Sequence, residues 1–179
     1  MRKLVLGLAV SLDGYIEGPK GEYDWCFQDQ DYGMSDFFKR VDALFVGRRS
    51  YEMFAPKSGA KKKKQSSGPF AHMKQYIFSD TLKEIPDEYI LISSENLKEK
   101  VNSIKNENGK DIWLFGGASL TSSLMSLSLV DEIGLAVHPI LLGGGKPLFQ
   151  NLKERIKLDL VDSKTYSTGL IYLTYNLKK

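Results

Sequence analysis

Short, almost continuous apolar runs alternate along this chain with segments of helical periodicity. Runs of the first kind, expected for strands covered on both faces, fall at Lys3–Val10, Ala43–Val46, Lys74–Phe78, Tyr89–Ile92, Ile112–Phe115, Glu132–His138, Ile156–Tyr166 and Leu170–Asn176. Between them, Glu95–Asn108 places Leu97, Val101 and Ile104 on one helical face and lysines on the other, and stops at Asn108-Gly109. Ala118–Ser128 carries a stripe of Leu120, Leu124 and Leu127, while Ser35–Val41 and Ser50–Phe54 are shorter helical candidates. Strand–helix alternation predicts an α/β domain with a largely parallel sheet and helices on both faces. The last two strands are separated only by Ser167-Thr168-Gly169, which predicts an antiparallel hairpin at one edge. No internal repeat interrupts this order, so residues 1–179 read as a single domain. Pro56–Pro69, with Lys61–Lys64 among Ser and Gly, reads as an exposed loop.

Composition narrows the function classes. A chain of 179 residues with 42% apolar and 26% charged residues is an ordinary globule, long enough to bury a full core. A net charge of +3 is too small to argue for nucleic acid, and no basic stripe accompanies Lys61–Lys64. Cys26 is the only cysteine, which excludes an intrachain disulfide and a zinc–cysteine cluster; two distant histidines without clustered acids leave no metal site. The apolar N-terminal run reaches Ser11, Asp13 and Gly14 too soon for a membrane span and carries no signal cleavage site, so a cytoplasmic protein is expected.

The segment I-W-L-F-G-G-A-S-L at 112–120 carries the most chemistry. An apolar strand stops at Gly116-Gly117 and a helical pattern starts at once, so a ligand can approach the backbone and the helix N–H groups favour an anion. A second strand end, A-L-F-V-G-R-R-S-Y-E at 43–52, places Arg48 and Arg49 in the first turn of a helix. Cations there oppose the helix dipole unless an anion joins them. Two such junctions suggest a dinucleotide, and the arginines suggest one bearing an extra phosphate. The pattern is neither a Rossmann fingerprint, since G-x-G-x-x-G is absent, nor a P-loop, since Ile140 and Pro147 stand where Gly143-Gly144-Gly145-Lys146 would need a glycine and a hydroxyl. No G-x-S-x-G elbow supports a serine hydrolase.

Asp13 in S-L-D-G-Y-I has two readings: a turn-former before Gly14, or a carboxylate at the sheet end that orients or protonates a substrate. Tyr15, Tyr23, Trp25 and Phe27 either wall an aromatic pocket or pack over the sheet. His138, before Pro139, reads more readily as structural than as catalytic.

Taken in order, S-L-D-G-Y-I at 11–16, V-G-R-R-S-Y-E at 46–52, F-G-G-A-S-L at 115–120 and L-V-D-E-I-G-L-A-V-H-P-I-L-L-G-G-G-K-P-L-F at 129–149 resemble the dihydrofolate reductase fold. They resemble more closely the reductase domain of the bifunctional riboflavin-biosynthesis deaminase/reductase, in a small stand-alone bacterial form. The resemblance implies a three-layer α/β/α dihydrofolate reductase-like fold, a mostly parallel sheet of about eight strands with a C-terminal antiparallel hairpin, NADPH as hydride donor, and a homodimer. By motif position it implies that Gly116, Gly117, Ala118, Ser119 and Leu120 hold the pyrophosphate. Gly47, Arg48, Arg49 and Ser50 would hold the adenosine ribose and its 2′-phosphate, and Ser79 would lie near the adenine. Ala9, Val10 and Ile16 would border the nicotinamide, with Asp13 the leading catalytic carboxylate.

Two departures matter. Asp36 is only loosely placed for the acid that dihydrofolate reductases use on the pterin, and Gly144-Gly145-Lys146-Pro147 lacks the acid usual in riboflavin-pathway reductases, although Lys146 could meet a substrate phosphate. The expected activity is hydride transfer to a C=N or C=O bond of a small heterocyclic or phosphoribosylated substrate, of the 5-amino-6-(5-phosphoribosylamino)uracil type. The alternative is a nucleotide-binding module that has lost its reaction and acts as a sensor or assembly partner.

Overall fold

The computed structural model describes residues 1–54, 70 and 72–178; the whole 56–69 loop, with Lys61–Lys64, lies outside them. In chain order the described residues form β1 (Leu4–Ser11), β2 (Tyr15–Glu17), α1 (Met34–Arg40), β3 (Val41–Gly47), α2 (Arg48–Phe54), β4 (Lys74–Phe78), β5 (Tyr89–Ile92), α3 (Leu97–Asn106), β6 (Asp111–Gly116), α4 (Ala118–Ser126), β7 (Glu132–His138), β8 (Lys146–Pro147), β9 (Leu158–Thr165) and β10 (Ile171–Leu177).

Eight of these strands make one sheet in the order β5-β4-β3-β6-β1-β7-β10-β9. Pairing is parallel from β5 to β7, and Leu6 of β1 sits opposite both Leu114 of β6 and Ile133 of β7. Only β10 runs antiparallel, against β7 on one side and β9 on the other. The expected mostly parallel sheet with its C-terminal hairpin is therefore what forms.

Strand side chains alternate, so each continuous apolar run supplies both faces. Leu4, Leu6, Ala43, Phe45, Tyr76, Ile112 and Leu114 pack with Val101 and Ile104 of α3 and Leu124 and Met125 of α4. Their sequence neighbours Leu44, Val46, Ile77 and Trp113 point the other way, against Met34, Phe37 and Phe38 of α1 and Tyr51 of α2. Two apolar layers on either side of one sheet give the three-layer arrangement.

Several element ends shift by one or two residues, as in α3 (Leu97–Asn106), α4 (Ala118–Ser126) and β9 (Leu158–Thr165), and three differences bear on the fold. The helical lysines were expected on the outer face of α3, yet Lys105 is buried, its ammonium donating to Leu129 O at 2.9 Å and to Asp131 Oδ2 at 2.5 Å. That carboxylate also accepts the Leu4 N–H at 2.9 Å, so the pair ties α3 to β1 and the start of β7. Helix α2 starts at Arg48, two residues earlier than its apolar pattern suggests. A second, two-stranded sheet joins β2 to β8, with Tyr15 opposite Pro147 and Glu17 opposite Lys146. Gly145 permits this pairing: its φ is +126°, and a Cβ there would run into the Glu17 carbonyl oxygen.

Candidate functional site

Because β3, β4, β5 and β6 are parallel, their C-terminal ends finish at the same edge of the sheet. Gly47 pairs with Phe78, and Val46 pairs with Gly116, so the two motif-bearing turns emerge side by side. A cleft of about 340 Å³ opens there. Nine of the sequence-derived candidates line it: Gly47, Arg48, Arg49, Ser50, Ser79, Gly117, Ala118, Ser119 and Leu120. Gly116 immediately precedes them at the end of β6.

The floor of the cleft is the start of α4. Its first backbone donor bonded within the helix is Thr121, whose N–H meets Gly117 O at 3.0 Å, which leaves the preceding N–H groups for an outside acceptor. A methyl group placed on Gly117 would lie 3.4 Å from Ser50 Oγ and 3.9 Å from Lys146 Nζ. A hydroxyl and an ammonium therefore face the same turn from two other elements.

The cations of the cleft are not equivalent. Arg48 is held by Glu52 one turn along α2 at 2.8 Å, and Lys146 by Glu17 at 3.2 Å. Arg49 has no ion-pair partner among the described residues. Asp80 also lines the cleft, but its carboxylate accepts the Ser94 N–H at 2.7 Å, and that bond holds its pKa below the ordinary value. Asp80, Thr81, Ser94, Ser123 and Lys146 are cleft residues that motif reading did not assign to a cofactor. A polar residue just after β4 or β5 was the only available signal for the first three.

Ala9, Val10 and Ile16 are not part of this cleft. The Val10 side chain is buried in the core and Ile16 packs against it, whereas Ala9 is half-buried beside Ala136 of β7.

The Asp13 carboxylate is surrounded by donors. It accepts Ser11 Oγ–H at 2.6 Å, Leu142 N–H at 3.1 Å and Gly143 N–H at 2.8 Å. The serine bond is the largest influence and, together with the two backbone bonds, outweighs the opposing effect of burial and keeps this carboxyl below its usual pKa. Asp36, by contrast, is exposed and paired with Lys39.

His138 ends β7 as a buried, neutral imidazole. Its Nδ1 donates to Ala136 O at 3.0 Å, while Nε2 accepts the Phe27 N–H at 3.0 Å. Trp25 and Phe27 pack their rings on it, with centroids 5.3 and 5.0 Å away. Burial lowers its pKa, outweighing the backbone bonds that favour the cation. The unfolded imidazole thus takes up a proton first as pH falls, so stability is full above about pH 6.5 and declines below it. Wild type should lose more melting temperature between about pH 7.5 and 5.5 than His138→Gln, which has no imidazole to titrate. Parallel loss in the two proteins would count against this role.

An eight-stranded sheet with this strand order, its antiparallel C-terminal pair and a cleft at the parallel strand ends defines a dihydrofolate reductase-like protein. The chain belongs to the RibD C-terminal domain family, whose model matches residues 2–172. Membership places it with riboflavin-pathway reductase-like proteins, an oxidoreductase class. The Bacillus subtilis (strain 168) protein YyaP, itself uncharacterized, is 43% identical over 98% of this chain and 95% of its own. The Thermotoga maritima diaminohydroxyphosphoribosylaminopyrimidine deaminase/5-amino-6-(5-phosphoribosylamino)uracil reductase has a TM-score of 0.73 at 14% identity, over 99% of this chain and 57% of that longer one. Enterococcus faecalis dihydrofolate reductase, solved with NADP(H), has a TM-score of 0.70 at 14% identity, over 99% of this chain and 97% of its own. No helix among the described residues is long and apolar enough to cross a membrane.

Proposed function

We propose that this chain is an NADPH-dependent reductase acting on a small heterocyclic or phosphoribosylated substrate of the 5-amino-6-(5-phosphoribosylamino)uracil type. The observation that carries the reading is the convergence of two anion-suited turns in one cleft, with Arg49 uncompensated beside them. A long ligand carrying phosphate at two separate places fits that donor set: the N–H groups of Ala118 and Ser119 with Ser50 suit a pyrophosphate, and Arg49 suits a 2′-phosphate. Ser79 and Ser94, at the far end of the cleft, suit the adenosine. When bound, NADPH would supply the hydride.

Ala9, at the sheet edge next to Ser11 and Asp13, borders the nicotinamide in this reading. Asp13 acts there as a positioning residue. Its ionised carboxylate fixes the 140–143 backbone against the end of β1, and with three donors already on it, it serves poorly as a proton source. The same engagement favours the second reading, a nucleotide-binding module without turnover; consumption of NADPH in the presence of the aminopyrimidine separates the two. A homodimer belongs to the proposal as well. Strand β9 is exposed along its whole length, with Leu160 and Val161 outward, a surface that a second copy would cover.

Fluorescence titration with NADPH and NADH tests the cofactor. Arg49→Ala should weaken NADPH about tenfold to a hundredfold, as for loss of a charge-assisted hydrogen bond of about 1.5–3 kcal/mol, and leave NADH unchanged. Arg48→Ala should have a smaller effect, because Glu52 already compensates that guanidinium. Equal affinity of the wild type for both nucleotides, or none for either, would refute the reading.

A further inference from the structure

Residues 18–33 cross from β2 to α1 as a loop folded mainly on itself. The Gly18 N–H donates to Glu22 O at 2.9 Å, the Trp25 indole N–H to the same oxygen at 3.3 Å, and the Cys26 N–H to Tyr23 O at 3.2 Å. At the far end Tyr32 bonds Asp29 at 2.7 Å and Thr168 at 3.0 Å. Between Glu22 and Gln30 one hydrogen bond leaves the loop among the described residues: the Phe27 N–H donates to His138 Nε2 at 3.0 Å. Burial adds little hold, since Tyr23 is 52% and Phe27 37% exposed.

That single tether ends on a group that a proton can disable. A backbone N–H only donates, so Nε2 presents a lone pair and the ring proton sits on Nδ1, which donates to Ala136 O at 3.0 Å. A second proton can go only to Nε2. The imidazolium then aims an N–H at the Phe27 N–H, two donors with no acceptor between them. His138 has no room to turn away: it is buried, it ends β7 opposite Ser11 of β1, and the rings of Trp25 and Phe27 lie on it. The strand is held on both sides and the loop is not, so the loop yields.

No charge in the surroundings offsets this. The titratable groups on the elements packed around His138 are Asp13 beyond β1, Asp24 and Cys26 in the loop, Tyr166 at the hairpin turn and Tyr172 on β10. None of them acts on the imidazole, whose pKa burial lowers against the backbone bonds of Ala136 and Val10. The Asp13 carboxylate is engaged by Ser11, Leu142 and Gly143, and burial, with Asp24 adding, pushes the Cys26 thiol up to about 11. The other histidine, His72, is exposed ahead of β4.

We propose that His138 is a proton-operated latch: its neutral form holds residues 22–30 against the end of β7, and its protonated form releases them. The open loop takes up a proton that the closed loop refuses. Its population therefore rises by up to about tenfold per pH unit below the ordinary imidazole value near 6.5, and is flat above it. Release bares the sheet end where β1 leads through Ser11 to Asp13. That a substrate is received at that end rests on the reductase reading above; the latch does not.

Amide hydrogen exchange followed by NMR, on the full chain without nucleotide, tests the latch. The protection factor of the Phe27 N–H should fall about fivefold to tenfold between about pH 7.5 and 5.5. The Trp113 indole N–H, bonded to Gly7 O in the core, should keep its protection over the same range. In His138→Gln, whose side-chain oxygen accepts the Phe27 N–H and does not titrate, Phe27 should be equally protected at both pH values. A flat Phe27 profile in wild type, an equal fall in His138→Gln, or a parallel fall at Trp113, which marks global unfolding, overturns the proposal. Failure of the protein to bind NADPH removes the reductase reading and leaves the latch standing.

Discussion

Gly117→Asp is expected to weaken NADPH and NADH alike by about a thousandfold, without loss of stability. Gly117 has φ −75° and ψ −173°, extended backbone that does not itself require glycine. The Cβ of the new side chain would meet Ser50 Oγ at 3.4 Å and Lys146 Nζ at 3.9 Å, ordinary contacts with a hydroxyl and an ammonium. A carboxylate is welcome there: it sits at the positive end of α4 and near an ammonium, so the melting temperature should hold or rise slightly. Those features are the ones proposed to attract a pyrophosphate. A fixed negative charge about 4 Å from the ligand costs about 4 kcal/mol at an effective dielectric constant near 20, which is roughly a thousandfold in affinity. Gly117→Ala, which adds bulk without charge, should cost much less. Fluorescence titration and a thermal melt read both quantities. Undiminished nucleotide binding by the aspartate variant would place the anion elsewhere.

The sheet was legible in the sequence because parallel strands are covered on both sides. Y-I-L-I is apolar throughout, and K-Q-Y-I-F and E-I-G-L-A-V-H are polar only at their ends, so all three strands fall where the pattern predicts them. The same logic failed for β2 and β8, which are three and two residues long and too short to carry a period. Lys105 was misplaced for a related reason. Helical periodicity shows which face is apolar, but not that Asp131 waits across that face to receive an ammonium. At the candidate site, the residues on the two turns were legible because strand end, glycine and helix start are contiguous in the chain. Lys146 reaches the same turn from β8, and Asp80 and Ser94 come from two further loops, so their placement depends on sheet order. The bond from Phe27 to His138 carried no signal at all. The two residues stand 111 apart in the chain, and only the fold brings the loop onto the end of β7.

Phe45→Ala should produce the largest loss of stability, about 3–5 kcal/mol, and should remove nucleotide binding only as far as it unfolds the protein or loosens the adenine end of the cleft. Phe45 is fully buried in β3, with Tyr76 and Phe78 of β4 beside it at centroid distances of 5.3 and 4.8 Å. Truncation loses the transfer energy of the ring and leaves a cavity that strands hydrogen-bonded on both sides cannot close. Against a typical total of about 5–15 kcal/mol, that loss is a large share. Phe78 is both the end of this aromatic group and a wall of the cleft, immediately before Ser79. The variant therefore links packing to function through one side chain. Phe45→Leu, which refills most of the space, should recover most of the stability and with it nucleotide affinity. Chemical denaturation gives the stability difference, and titration at a denaturant-free low temperature, where the variant is still folded, gives the affinity. A Phe45→Ala protein as stable as wild type would mean that β3 can collapse onto the cavity, contrary to its double pairing.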